Sequence, residues 1–216
     1  MKSIERVVKA LNREPIDRVP VYPITGGVNR HLVGADYPTW STDAKVCADG
    51  FIKATEELNL DCICTLIDLS VEAADFGQKL EYPHDEAAHP DIFDRLLKDL
   101  TDYDKIPKIN PRETPRMKMH IEVCRRLVDA KGGDVPVVAF VFGPLGILSM
   151  LRGQAELYLD LYDDPEKVHI AVNRITDVLL EYCNALCEAG VHAIMFDTLF
   201  ASASIMSKEM WVEFEA

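Results

Sequence analysis

Pro136-Val-Val-Ala-Phe-Val-Phe142, broken by Gly143-Pro144, and later Val191-His-Ala-Ile-Met-Phe196, followed by Asp197-Thr198, form the stretch that decides the fold. Each apolar run has the length of a strand. Between them lie a short helix and a long one, the latter stopped by Gly190. A polar pair just after an apolar strand is where α/β barrels carry their chemistry.

Working outward, Cys62-Ile-Cys-Thr-Leu-Ile67 reads as an earlier strand that is apolar throughout rather than alternating. Such strands suit a parallel sheet covered by helices. Asp68 stands at its C-terminal end. Before it, Asp43 can cap a helix over 44–59 with Cys47, Phe51, Ala54 and Leu58 on one face. Val19-Pro-Val-Tyr-Pro-Ile24 reads as the first strand, running into Thr25-Gly26-Gly27. Ile4, Val7, Val8 and Leu11 predict a helix over 3–12 with Ser3 as N-cap.

Residues 81–115, rich in Pro, His and Asp, read as an excursion over one face with a short helix near 92–100. A helix over 115–131 is stopped by Gly132-Gly133. Asp164-Pro165 opens the long helix, whose buried face carries Val168, Val172, Ile175, Leu179, Tyr182 and Leu186. Ser207 starts one more helix. The order β-α-β-(excursion)-α-β-α-β-α implies right-handed parallel βα units. A (β/α)8 TIM barrel has eight strands and about 250 residues. Residues 1–216 therefore read as the N-terminal part, about four βα units, of an incomplete barrel domain.

Composition excludes several classes. The chain carries 23 Lys and Arg against 36 Asp and Glu, a net charge of −13, which repels phosphate backbones and anionic membrane surfaces. No apolar run approaches the roughly 20 residues of a membrane span, and Met1-Lys-Ser-Ile-Glu-Arg lacks a signal-peptide core. The chain is expected in the cytoplasm, without nucleic-acid or membrane partners. Its six cysteines read as free thiols.

Five segments together resemble the uroporphyrinogen decarboxylase superfamily. They are Ala10-Leu-Asn-Arg-Glu-Pro-Ile-Asp-Arg-Val-Pro-Val21, Asp68-Leu-Ser-Val-Glu-Ala-Ala-Asp-Phe-Gly77, Gly143-Pro-Leu-Gly-Ile-Leu-Ser-Met-Leu-Arg-Gly153, Asp163-Asp-Pro-Glu-Lys-Val-His169 and Glu188-Ala-Gly-Val-His-Ala-Ile-Met-Phe-Asp197. The resemblance implies a TIM barrel and one of two activities. One branch decarboxylates uroporphyrinogen III without a cofactor, in porphyrin biosynthesis. The other moves methyl groups from corrinoid proteins to a thiol held on zinc.

The decarboxylase branch carries an Arg-Gln-Ala-Gly-Arg clamp in its first βα loop, suited to a substrate rich in carboxylates. This chain has Thr25-Gly-Gly-Val-Asn-Arg30 there, leaving Arg30 alone. That branch's tyrosine aligns with Met150 and its serine with Thr198; its aspartate is matched by Asp68. The methyltransferase branch holds zinc through a His-x-Cys motif and a later Cys. No histidine here is followed two residues on by Cys, so those ligands are expected beyond Ala216.

The candidate residues also have plainer readings. Asp68 is either a ligand-facing carboxylate or a cap for the turn at Val71-Glu72, and Asp197-Thr198 either line a site or begin a loop. Gly26 and Gly27 allow close approach to a ligand or a tight turn. Cys62 and Cys64 share one face of a strand, and Cys183 and Cys187 lie one helical turn apart; core packing is the favoured reading of both pairs over metal binding. His84 and His89 read as loop histidines.

The expected function is that of a fragment of a zinc-dependent methyltransferase, with Asp68 and Asp197 as catalytic candidates. Arg30, Met150, Thr198, Gly26 and Gly27 are the candidates for binding substrate, with a corrinoid protein as partner. A divergent uroporphyrinogen decarboxylase without cofactor is the alternative, and a non-catalytic half-barrel that pairs with another copy is the second. The isolated chain is expected to be inactive.

Overall fold

The computed structural model describes residues 1–215. Helix α1 (Ser3–Leu11) leads through a loop to a 3₁₀ segment at Gly26–Val33, then to α2 (Tyr37–Thr42) and α3 (Ala44–Glu57). Strand β1 (Ile63–Cys64), α4 (Val71–Asp75), and the short strands β2 (Leu80–Glu81) and β3 (His89–Pro90) follow. A 3₁₀ segment at Leu100–Lys105 precedes α5 (Pro115–Lys131), β4 (Val137–Phe142), α6 (Pro144–Arg152) and α7 (Gln154–Asp163). The described part ends with α8 (Pro165–Glu188), β5 (Ala193–Asp197), a 3₁₀ turn at Leu199–Ala201 and α9 (Lys208–Phe214).

The main sheet is parallel in the order β1-β4-β5, with Cys64 beside Val138 and Val138 beside Ala193. Thr65 N–H extends the first pairing by donating to Val138 O at 3.0 Å. The alternation of side chains then sorts the sheet into two faces. Ile63, Thr65, Val137, Ala139 and Val141 turn toward the helix layer, where all but Thr65 are apolar and all are buried. Cys62, Cys64, Val138, Phe140, Met195 and Asp197 turn to the opposite side.

Most helices follow their local signals. The Asp43 carboxylate accepts from Lys45 N and Val46 N to start α3. Asp164 caps α8 with Pro165 in its first turn, and all six residues predicted for that helix's inner face are buried. Helix α5 is capped from a distance: Asp75 accepts from Arg116 N at 3.0 Å and Met117 N at 2.7 Å.

Four local expectations are corrected. Residues 19–24 form no strand, because Pro20 and Pro23 lack N–H donors. Pairing is confined to Val21, whose O accepts from Asp61 N at 2.9 Å and whose N donates to the Asp61 carboxylate at 2.8 Å. Ser3 does not cap α1; its hydroxyl donates to Asp61 Oδ1 instead. Residues 92–100 form no α-helix, since Asp91 takes Phe93 N, Gln78 takes Leu96 N and Leu97 N pairs with Leu151 O. Leu58 falls just past the end of α3 and is exposed.

Candidate strand-end site

The C-terminal ends of β1, β4 and β5 bring Asp68, Glu72, Gly143 and Asp197 into one region. Asp68 leaves β1 with its side chain fully buried. Its Oδ1 accepts from Ser70 N at 2.9 Å and its Oδ2 from an Arg116 nitrogen at 2.5 Å. Asp68 thus does not cap the turn at Val71-Glu72: it accepts from Ser70 N, the residue before that helix, and forms a buried ion pair with Arg116. Arg116 also donates to Tyr82 Oη at 3.1 Å. Lying 48 residues further along the chain, Arg116 had no local signal that could mark it as the partner.

Glu72, on the short α4, is buried and accepts from Phe142 N at 3.1 Å, where β4 ends. Burial pushes its carboxyl up to about 8 against that backbone donor. Met150 comes near the same corner: the Ser70 hydroxyl reaches its sulfur at 3.9 Å and donates to Ala88 O at 3.0 Å. Asp68 and Met150 therefore meet through Ser70.

On the neighbouring strand, Asp197 O accepts from Gly143 N at 2.8 Å, and Asp197 Oδ1 accepts from Leu199 N at 3.1 Å. Burial raises its carboxyl. Glu215 folds back to the start of α6, where its Oε2 accepts from Leu145 N at 3.1 Å and its Oε1 has no partner. Burial, opposed by the Leu145 N–H and reinforced by Asp197, pushes Glu215 up to about 7. A Cβ at Gly143 would lie 2.3 Å from Glu215 Oε1 and 2.9 Å from Asp197 O, so this approach requires glycine. Neither Glu72 nor Glu215 was singled out from sequence. The burial that gives each its chemistry comes from packing.

The remaining candidates lie elsewhere. Thr198 lines a cavity of about 430 Å³ with Met206, Ser207 and Trp211. Arg30 is buried in the 3₁₀ segment, stacked 4.4 Å from the Tyr37 ring and bonded to Ala35 O and Asp85. Gly26 takes φ +48°, and a Cβ at Gly27 would lie 2.2 Å from the Tyr37 ring. Both glycines therefore serve the turn and its packing. His84 pairs with Asp85 at 3.1 Å on the surface.

Among the described residues, no three His, Cys, Asp or Glu side chains converge as metal ligands. Zinc, which wants three or four such donors, therefore finds no ligand set in this part of the chain. Likewise, no described helix is long and apolar enough to cross a membrane.

Residues 2–216 match the uroporphyrinogen decarboxylase (URO-D) family. The chain belongs to that family. Among its relatives, this URO-D family member is 24% identical over 213 residues to methylcobamide:CoM methyltransferase MtbA of Methanosarcina mazei, covering 97% of this chain and 62% of the relative. It is 26% identical over 216 residues to uroporphyrinogen decarboxylase of Alkalilimnicola ehrlichii, covering 90% of this chain and 56% of that protein. A solved structure of a methyltransferase from Methanosarcina mazei superposes with a TM-score of 0.86 at 21% identity, over 99% of this chain and 64% of that one. The family member thus spans about six-tenths of the relatives it matches, and the structural likeness speaks for the fold.

Proposed function

We infer that this URO-D family chain supplies part of the active-site wall of a methyltransferase that moves a methyl group from a corrinoid protein to a thiol. The observation that carries this reading is the state of the guanidinium groups. Arg30, the one candidate in the loop where decarboxylases clamp substrate carboxylates, is turned to Tyr37, Ala35 and Asp85, with its buried Nε left without a partner. Arg116 pairs through its terminal nitrogens with Asp68 and Tyr82, its Nε likewise without a partner. What faces the strand ends instead is acidic: Glu72, Asp197 and Glu215, each with its carboxyl raised. Such a lining, held protonated at Glu72, offers a polycarboxylate no cationic clamp, while Glu215, at about 7, can exchange a proton with a substrate that must lose one, as a thiol does on methylation.

In this reading Arg116 and Ser70 hold Asp68 as a rigid part of the wall, and Glu215, with one oxygen free, accepts a proton near neutral pH. Zinc would supply thiol activation in such a reaction, but no residue described here would hold it, and its ligands are expected in the remaining length of the relatives. The matches to uroporphyrinogen decarboxylases keep a divergent decarboxylase as the second reading.

The test is methyl transfer from methylcobalamin to coenzyme M by the full-length protein, run beside decarboxylation of uroporphyrinogen III. The expected outcome is a methylated thiol and no coproporphyrinogen. Coproporphyrinogen formation without methyl transfer would replace the first reading with the second.

A further inference from the structure

The excursion between β1 and α5 presents an apolar pair that the strand-end site does not use. Ile92 and Phe93 follow one another in a turn and are 63% and 90% exposed; Phe93 is the most exposed large apolar side chain among the described residues. The turn is braced. Asp91 Oδ1 accepts from Phe93 N at 2.9 Å, Asp91 O accepts from Asp94 N at 3.3 Å, and Lys79 holds the Asp91 carboxylate at 3.1 Å. Gln78, itself buried, donates to Asp94 O at 3.1 Å. Both flanks of the turn are anchored at the strand-end site. Ala88 O accepts from the Ser70 hydroxyl at 3.0 Å, and Arg95 donates to Met150 O at 2.6 Å. The pair therefore stands on a fixed turn at the rim of that site.

Adjacent large apolar side chains held in water by a braced turn have the form of an interface anchor, which gains most when a partner's pocket desolvates it. The surround is acidic. Glu81, Asp85, Glu86 and Asp94 are all exposed on the same excursion, in a chain whose net charge is −13. A second copy would bring like charge to this face, whereas a partner with a cationic rim complements it. Resting on the methyltransferase reading above, we propose that Ile92 and Phe93 dock the folded protein that delivers the methyl donor. The pair inserts into an apolar pocket of that protein rimmed by Lys or Arg. A carrier that reaches the strand ends has to cover the rim on which the pair stands, so docking there brings donor and site together.

The experiment measures methyl transfer to coenzyme M by the full-length protein from two donors. One is free methylcobalamin; the other is a methylated corrinoid protein of Methanosarcina mazei, the source of its methyltransferase relative. Ile92→Ser with Phe93→Ser should raise KM for the corrinoid protein roughly tenfold or more and leave the kinetics with free methylcobalamin at the parent's values. Leu11→Ser, at an exposed apolar residue of α1, should change neither. Added salt should raise KM for the corrinoid protein alone. Docking at this turn is overturned if the parent uses free methylcobalamin but not the corrinoid protein, or if the double variant keeps the parent's KM for it. A salt-insensitive KM overturns the cationic rim, and a full-length dimer that the double variant dissociates assigns the pair to a second copy instead. No transfer by the parent from either donor overturns the methyltransferase reading. Equilibrium binding of the corrinoid protein then decides docking by itself: binding lost in the double variant upholds it, and equal or absent binding overturns it.

Discussion

Glu72 shows how a single carboxyl records its surroundings. Its pKa of about 8 in the folded chain stands above the ordinary 4.5, so the folded state holds a proton that the unfolded state releases. Stability from this group is complete below pH 4.5 and is lost as pH rises through about 8. Glu215, at about 7, acts in the same direction. His120 acts in the opposite one: it is buried between Thr65 and Tyr182, and burial lowers it to about 4, so its contribution is lost as pH falls below 6.5. Between pH 6.5 and 8, urea unfolding should therefore show stability falling with pH. Glu72→Gln, which keeps an oxygen for Phe142 N, should flatten that slope and gain roughly 2–4 kcal/mol over the parent at pH 8. An unchanged slope would mean that Glu72 is not held protonated.

Elements here are fixed by contacts that their own residues do not announce. Helix α5 was legible from its apolar spacing and the Gly132-Gly133 stop, yet its N-terminal donors are met by Asp75, about 40 residues earlier. The loop at residues 19–24 read as a strand because its residue types are those of strands, but two prolines and a lone pairing at Val21 leave it outside the ladder. The 3₁₀ segment at 26–33 depends on close packing against α2. Gly27→Ala should therefore cost about 1–3 kcal/mol through the overlap with Tyr37. Gly133→Ala meets no atom within 4 Å and should change stability by less than about 0.5 kcal/mol. Thermal melts of the two variants check this contrast, and equal effects would contradict the packing at Tyr37.

Across the whole molecule, the sheet is finished on one face and has two edge strands, β1 and β5. The helix side of β4 is sealed, whereas β1 and β5 each have a hydrogen-bonded strand on one side only, and Ala193 and Phe196 of β5 are exposed. An unpaired parallel edge with apolar side chains favours association. The 216-residue chain expressed alone should run above its 24.3 kDa mass by size exclusion with light scattering. A monomer with a cooperative melt would contradict the open-sheet reading.

The sequence alone determined the parallel strands at 63–64, 137–142 and 193–197 with the long helices between them, the caps at Asp43 and Asp164, and the family, because periodicity, capping and motif order are local in the chain. It also marked Asp68 and Asp197 as strand-end acids. Only the tertiary structure decided what those acids do. The partner of Asp68 comes from Arg116, and the raised carboxyls of Glu72 and Glu215 come from burial. The placement of Arg30 comes from Tyr37 and Asp85, and the meeting of Met195 with Cys64 from packing across the sheet. Each depends on desolvation or on contact between residues distant in sequence, and neither is encoded in local spacing.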